Sequence, residues 1–419
     1  MRVDLFDPAF LADPYPTYRW LREHSPVHHL GGEYWLLSRH EDVQRVLRTP
    51  AVFSSELGYS GLMSPDASLL PGADADRRRA LSDSGMGLLM RSLQGLRILI
   101  STDPPDHTRL RRLVSRQFTP RSIAQLEPRI QEICDGLVDD MLAARVDGTA
   151  DLWEHVSYPL PTMVIAELLG IPPGRKADFK RWSDALVNGM SFGGVTDISS
   201  GAAGAMEMFQ YFSEVVEARR REPHDDLISL IVHDPADGED PLTVPELIAF
   251  CVLLLLAGNE TTTNLLGNFF AAMHDHPDEL RRLRDDGGLV PSAVEEALRY
   301  DSPIQGLWRG LLGPAEIRGV EVPEGARVMT LFAAANRDAS VFGDDAEEFR
   351  SDRDARDHLA FGTGIHVCLG ASLARLEARV AISTLLNRTR DIERAAEPIR
   401  FPNPVLRGVR SQPLLLRAA

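Results

Sequence analysis

Between Thr243 and Pro277 the chain has room for little besides one long helix. Thr243-Val-Pro-Glu246 has the form of a capping box with proline in the first turn. Helical character then continues to about His276, where Pro277 stops it. At about 1.5 Å per residue this gives about 45 Å of helix, long enough to cross a whole molecule.

The middle of the stretch reads Leu253-Leu-Leu-Leu256-Ala257-Gly258-Asn259-Glu260-Thr261-Thr262-Thr263. A surface that is apolar all round implies burial. Yet a carboxylate, an amide and hydroxyls follow at once. An ionised glutamate buried without partners is costly, and glycine inside a helix costs about 1 kcal/mol relative to alanine. Either the helix emerges into solvent after Gly258, leaving Glu260 exposed, or this turn is loosened beside something it serves. Thr261 offers a means, because its hydroxyl can compete for the Ala257 carbonyl one turn earlier.

Around this rod the pattern is mainly helical, with small sheets. Helical segments are expected at 13–24, 105–117, 120–145, 160–169 and 204–221, with a short helix inside the loop-like 221–240. A second capping box is expected at Ser292–Glu295, behind Pro291. Strands are expected at Val27–Leu30 and Glu33–Leu37, turning at Gly31-Gly32. A second hairpin is expected over Val320–Thr330. Residues 56–95, rich in Gly, Ser, Asp and Pro and carrying Arg77–Arg79, are expected to form a long connection with a solvated arginine run. No linker separates two cores, so residues 1–419 are read as one domain.

With 44% hydrophobic and 25% charged residues the chain is of ordinary globular make-up, and its net charge of −16 argues against a nucleic acid partner. Cys134, Cys251 and Cys368 are far apart, without a C-x-x-C pair, which fits a reducing compartment rather than a disulfide or zinc framework. The N-terminus lacks a signal-peptide pattern, and the longest apolar run, Phe250–Ala257, is too short to cross a bilayer. A soluble, cytoplasmic protein is expected.

Cys368 lies in His358-Leu-Ala-Phe361-Gly-Thr-Gly364-Ile-His366-Val-Cys368-Leu-Gly370, directly before apolar positions Leu369, Leu373, Leu376 and Val380 at helical spacing. A helix N-terminus favours thiolate over thiol. Gly362, Gly364 and Gly370 allow tight turns and close approach to something flat. Such a thiolate suits a nucleophile, a redox sensor or a single axial ligand to haem iron. A buried, inert cysteine beside a turn is the plain alternative.

The spacing Phe361-x-x-Gly364-x-His366-x-Cys368-x-Gly370 resembles the haem-binding loop of the cytochrome P450 family, and the likeness extends over nearly the whole chain. It implies the fold of that family, mainly α, with the long helix and the cysteine loop sandwiching haem b. Cys368 would be the metal ligand. Ala257-Gly258-x-Glu260-Thr261 resembles the oxygen-activation motif, in which Thr261 hydrogen bonds and Glu260 relays protons. His107, Arg111, Arg309 and His366 stand where the family holds the haem propionates, with Phe361, Gly362, Gly370 and Ala257 against the macrocycle. Glu296 and Arg299, on one helical face, resemble the family's structural ion pair. On their own spacing they could be an ordinary surface pair.

The resemblance also implies a haem-thiolate monooxygenase that takes electrons from ferredoxin and ferredoxin reductase and puts one atom of O2 into a small lipophilic molecule by hydroxylation or epoxidation. A peroxide-driven oxygenase of the same fold and a non-catalytic haem carrier or sensor are the alternatives. Pocket candidates are Leu253, Leu256, Ala257, Ile304, Gln305, Leu307, Val405 and Leu406, with Met86, Leu88, Leu89 and Met90 as a roof. Arg109, Arg112 and Arg116 offer a basic face for an acidic electron carrier. A monomer without membrane attachment is expected.

Overall fold

The computed structural model describes residues 2–63, 97–175, 177–179, 181–182, 198–233 and 240–418. Most of the 56–95 connection, its arginine run and the proposed methionine roof lie outside these residues.

The long helix is Val244–Asp275. The Thr243 hydroxyl accepts from the Glu246 N–H, and the Glu246 carboxylate accepts from the Thr243 N–H, so the capping box is made as expected. By length and composition this helix could cross a membrane. Here it threads the protein core, with Cys251, Val252, Leu255, Phe269 and Met273 sealed from solvent. Helices Pro159–Leu168, Ile198–Arg221, Val290–Tyr300 and Ala371–Arg388 pack against it, and Glu127–Ala143 packs in turn on Pro159–Leu168 and Ala371–Arg388. The segment 120–145 forms two helices, Pro120–Ala124 and Glu127–Ala143, because the chain turns at Gln125-Leu126 and a new helix starts on Pro128.

The second capping box is not made. Helix Val290–Tyr300 begins two residues before Ser292, whose hydroxyl instead donates to the carbonyls of Leu289 and Ser351. The turn is closed upstream by the Asp286 carboxylate on the Gly288 N–H, which frees Glu295 for other use.

Five strands form the main sheet, in the order Val27–Gly31, Tyr34–Leu37, Arg327–Thr330, Leu307–Leu311, Phe53–Ser54. The first pair is the expected hairpin, turning at Gly31 and Gly32 with positive φ. The expected Val320–Thr330 hairpin does not exist. Val320–Val322 pairs back with Ala315–Ile317 across Arg318-Gly319, where both residues have positive φ, as a two-residue turn requires. Asp42 and Glu41 hold the Arg318 guanidinium there. Arg327–Thr330 is thereby released to lie between Tyr34–Leu37 and Leu307–Leu311. A second sheet, Thr149–Asp151, Pro413–Ala418 and Thr389–Arg394, closes the other side.

Glu377, on helix Ala371–Arg388, is buried with one carboxyl oxygen unpartnered among the described residues. Burial alone pushes its carboxyl up to about 8. The folded protein therefore keeps a proton that the unfolded chain releases near the usual carboxylate value. The stabilisation this supplies is complete below that value and is lost as pH rises through about 8. Glu377→Gln should accordingly remove about 4 kcal/mol of the stability lost between pH 5 and pH 9, measured by urea unfolding at both pH values. Parallel curves for the two proteins would contradict this.

Candidate active site

The cysteine loop is fixed by its glycines and by a buried ion-pair lattice. Gly362 and Gly364 have positive φ, and a Cβ on Gly364 would lie 2.4 Å from the Leu47 carbonyl oxygen. The Cys368 N–H donates to the Phe361 carbonyl (2.9 Å), closing the loop just before helix Ala371–Arg388. A Cβ on Gly370 would meet nothing within 4 Å among the described residues, which leaves room there for a flat group. Arg375 lies over the Phe361 ring (4.5 Å) and donates twice to Glu295, at 2.7 and 2.8 Å. Burial would raise the Glu295 carboxyl, but bonds from His358 and Arg375 hold it at about 2. No sequence spacing announced this pairing, since its members are 80 residues apart.

Glu296 and Arg299 are both fully buried, not at the surface, and share two bonds of 2.6 and 2.8 Å. Arg299 also donates to the carbonyls of Asn336, Ala346 and Glu348. Glu296 also accepts from Arg353 and the Arg350 N–H. Asn336 in turn accepts the Leu359 N–H (2.6 Å). The pair thus reaches the start of the cysteine loop through one intermediate residue.

Cys368 is exposed as a residue, although protein groups crowd its sulfur. Burial pushes the thiol up, against the pull of the Gly370 N–H, Arg111 and Arg375. Cys134 and Cys251 are deeply buried packing residues with raised thiols.

His107, Arg111, Arg309 and His366 converge beside the cysteine. The two imidazoles lie 4.1 Å apart. Nε2 of each is buried without a partner among the described residues. Burial depresses all four, and the Arg309 and Arg111 charges further depress the two histidines, with His366 driven down to about 2. Two buried ring nitrogens without acceptors among the described residues, beside the guanidiniums of Arg111 and of Arg309, which donates to the Trp308 carbonyl (2.8 Å), suit a group bringing negative charge. Two carboxylates carried on a flat macrocycle with a thiolate-binding iron meet each of these demands, so the residues fit haem b. Arg109, by contrast, is bound to Glu246 and is not a free part of a basic face. Arg112 and Arg116 are exposed.

The long helix carries the second group of candidate residues. Leu253, Ala257 and Thr261, spaced by four, form a partly accessible stripe, flanked by the partly accessible Leu254, Leu256 and Gly258. The Thr261 hydroxyl donates to the Ala257 carbonyl (2.7 Å), as anticipated. The helix nevertheless runs unbroken through this turn, so the turn is not loosened. Gly258 is there for packing: a Cβ would lie 2.6 Å from Ile165 Cδ1 of the crossing helix Pro159–Leu168. The helix does not emerge after Gly258 either, for Asn259, Glu260, Thr262, Thr263 and Asn264 are buried. Burial raises the Glu260 carboxyl to about 7, against Arg410 and Asn264.

Of the pocket candidates, Leu253, Leu256, Ile304, Leu307 and Val405 are half-buried and Ala257 is exposed. Gln305 and Leu406 drop out. Gln305 accepts from the Tyr18 hydroxyl and donates to the Ser302 carbonyl, and its N–H reaches the Val405 carbonyl. Leu406 is buried in a bridge to Ile304. Both tie the two wall segments together and leave the pocket face to their neighbours.

A family profile described as "Cytochrome P450" matches residues 87–287 and 288–403. The chain is 40% identical to the cytochrome P450 monooxygenase PikC of Streptomyces venezuelae, covering 97% of this chain and 92% of that protein. It is 37% identical to the vitamin D(3) 25-hydroxylase of Pseudonocardia autotrophica, covering 99% and 96%. The solved structure of CYP109Q5 from Chondromyces apiculatus superposes with a TM-score of 0.85 at 39% identity, covering 100% of this chain and 98% of that one. Fold, loop and near-complete coverage agree, and the chain belongs to the cytochrome P450 family, haem b enzymes whose iron is held by a cysteine thiolate.

Proposed function

We propose that this chain is a monooxygenase that puts one atom of O2 into a lipophilic small molecule by hydroxylation or epoxidation, as a soluble cytoplasmic monomer served by ferredoxin and ferredoxin reductase. The observation that carries the reading is the juxtaposition of a stripe hydroxyl, Thr261, with a buried carboxyl, Glu260, whose proton affinity lies near neutrality. Haem, when bound, supplies oxygen activation, and thiolate donation favours O–O cleavage.

Cys368 would hold the iron, while His107, Arg111, Arg309 and His366 would neutralise the propionates. Phe361, Gly362, Gly370 and Ala257 would shape the space against the ring. Thr261 Oγ1 can exchange its bond to the Ala257 carbonyl for one to water. Glu260, neutral about half the time near pH 7, can both hold and release a proton. Leu253, Leu256, Ile304, Leu307 and Val405 offer an apolar wall, which suits a substrate with few polar anchors. A vitamin D hydroxylase among the relatives, and the CYP109E1 structures with testosterone and corticosterone, point to the same substrate chemistry. An intact acid–alcohol pair disfavours peroxide-driven turnover, where the oxidant already carries the protons, and a non-catalytic carrier has no use for it.

Thr261→Ala tests the reading. A steroid or other lipophilic compound that shifts the iron spin state is turned over with a ferredoxin–reductase pair. NADPH consumption should persist while product falls and hydrogen peroxide rises. Unchanged product yield would contradict the role given to Thr261.

A further inference from the structure

The turn of the long helix beyond Glu260 carries polar groups that nothing so far uses. Asn264, four residues on and on the same face, is only 1% exposed. It faces the Glu260 carboxyl closely enough to temper it. Apart from this approach to Glu260, its Nδ2 and Oδ1 have no hydrogen-bond partner among the described residues. Gly408 makes room for it, since a Cβ there would lie 1.8 Å from Asn264 Oδ1. Gln412 is likewise buried. Its Nε2 donates to the Gly267 carbonyl (3.1 Å), and its Oε1 is unpartnered.

Gln412 leads outward. Its N–H donates to the Asp151 carboxylate (3.0 Å), which also accepts from the Ser411 hydroxyl (2.5 Å), and both Asp151 and Ser411 are partly accessible. Buried polar atoms without protein partners are the usual seats of internal water, which typically makes about 3 hydrogen bonds.

We propose that Asn264 and Gln412 seat a short file of buried water, and that this file returns protons from the Asp151–Ser411 edge to Glu260. The inference rests on the relay role of Glu260. Each passage adds one solvent proton to the Glu260 carboxylate, every water in the file accepting one proton and passing on another, and no electrons move. Asn264 is a positioning residue: it orients water and touches neither substrate nor haem.

The test uses the haem-loaded enzyme at about pH 6 and reads the infrared carboxyl band that Glu260→Gln removes. On transfer to D2O that band should shift quickly in the wild type. It should shift at least tenfold more slowly in Asn264→Leu, which keeps the volume but seats no water. It should also be slow in Gly408→Ala, which displaces the amide. Asn264→Ser, which can still bind water, should restore fast exchange. Equal exchange rates in the wild type and Asn264→Leu, or no band removed by Glu260→Gln, would overturn the proposal. If Asn264→Leu slows exchange but Glu260→Gln leaves product yield intact, the water file stands and the relay role of Glu260 fails.

Discussion

Arg299→Ala should give a protein that retains little or no haem and is destabilised by about 3–5 kcal/mol, the usual cost of removing one member of a buried charge pair. The reason lies in the geometry. Arg299 satisfies Glu296 and three backbone carbonyls at once. Its loss leaves a buried carboxylate with only Arg353 and the Arg350 N–H. It also loosens the Asn336 segment that holds the Leu359 N–H, and with it the entry to the cysteine loop. Arg299→Lys should fare little better, because an ammonium cannot make the forked contact and reach the carbonyls together. Haem content per chain and thermal unfolding measure both effects. A variant with full haem content and an unchanged melting curve would show that the pair is dispensable.

The second large effect belongs to Cys368. Cys368→Ala should abolish monooxygenase turnover altogether, while the basic cluster still gives some residual affinity for haem. His107, Arg111, Arg309 and His366 do not depend on the sulfur for their placement, and two buried imidazole nitrogens remain in need of acceptors. The variant should therefore bind haem weakly, with a spectrum lacking thiolate character. His366→Ala combined with Arg111→Ala should do the reverse, weakening haem affinity while leaving thiolate character in the fraction that binds. Titration of each apoprotein with haem, followed by optical spectroscopy, separates the two contributions. Thiolate character surviving in Cys368→Ala would refute the assignment of the ligand.

What the sequence made legible was local in chain distance. The capping box at Thr243, the stop at Pro277 and the bond from Thr261 to Ala257 each involve residues within one helical turn, and all are present. The cysteine loop could be read for the same reason, since its glycines and its Cys368–Phe361 closure lie within a few residues. Longer-range choices could not be read. The strand Arg327–Thr330 pairs with Leu307–Leu311 and, almost 300 positions away, with Tyr34–Leu37, so a nearby turn signal at Pro323–Gly325 misled the hairpin assignment. Glu295 looked like a cap and is instead an anchor for Arg375 and His358. Gly258 looked like a weak point and is a contact between crossing helices.

The protonation of the cysteine also depends on more than its local sequence. A helix terminus is visible in sequence, whereas the desolvation that outweighs it depends on the whole surrounding fold. Metal binding would reverse that balance, because a coordinating thiol loses its proton to solvent and binds as thiolate. The optical spectrum of the reduced, carbon monoxide-treated holoenzyme tests this most directly. A Soret band at the long wavelength of thiolate-ligated haem is predicted, and a band where imidazole-ligated globins absorb would contradict the account.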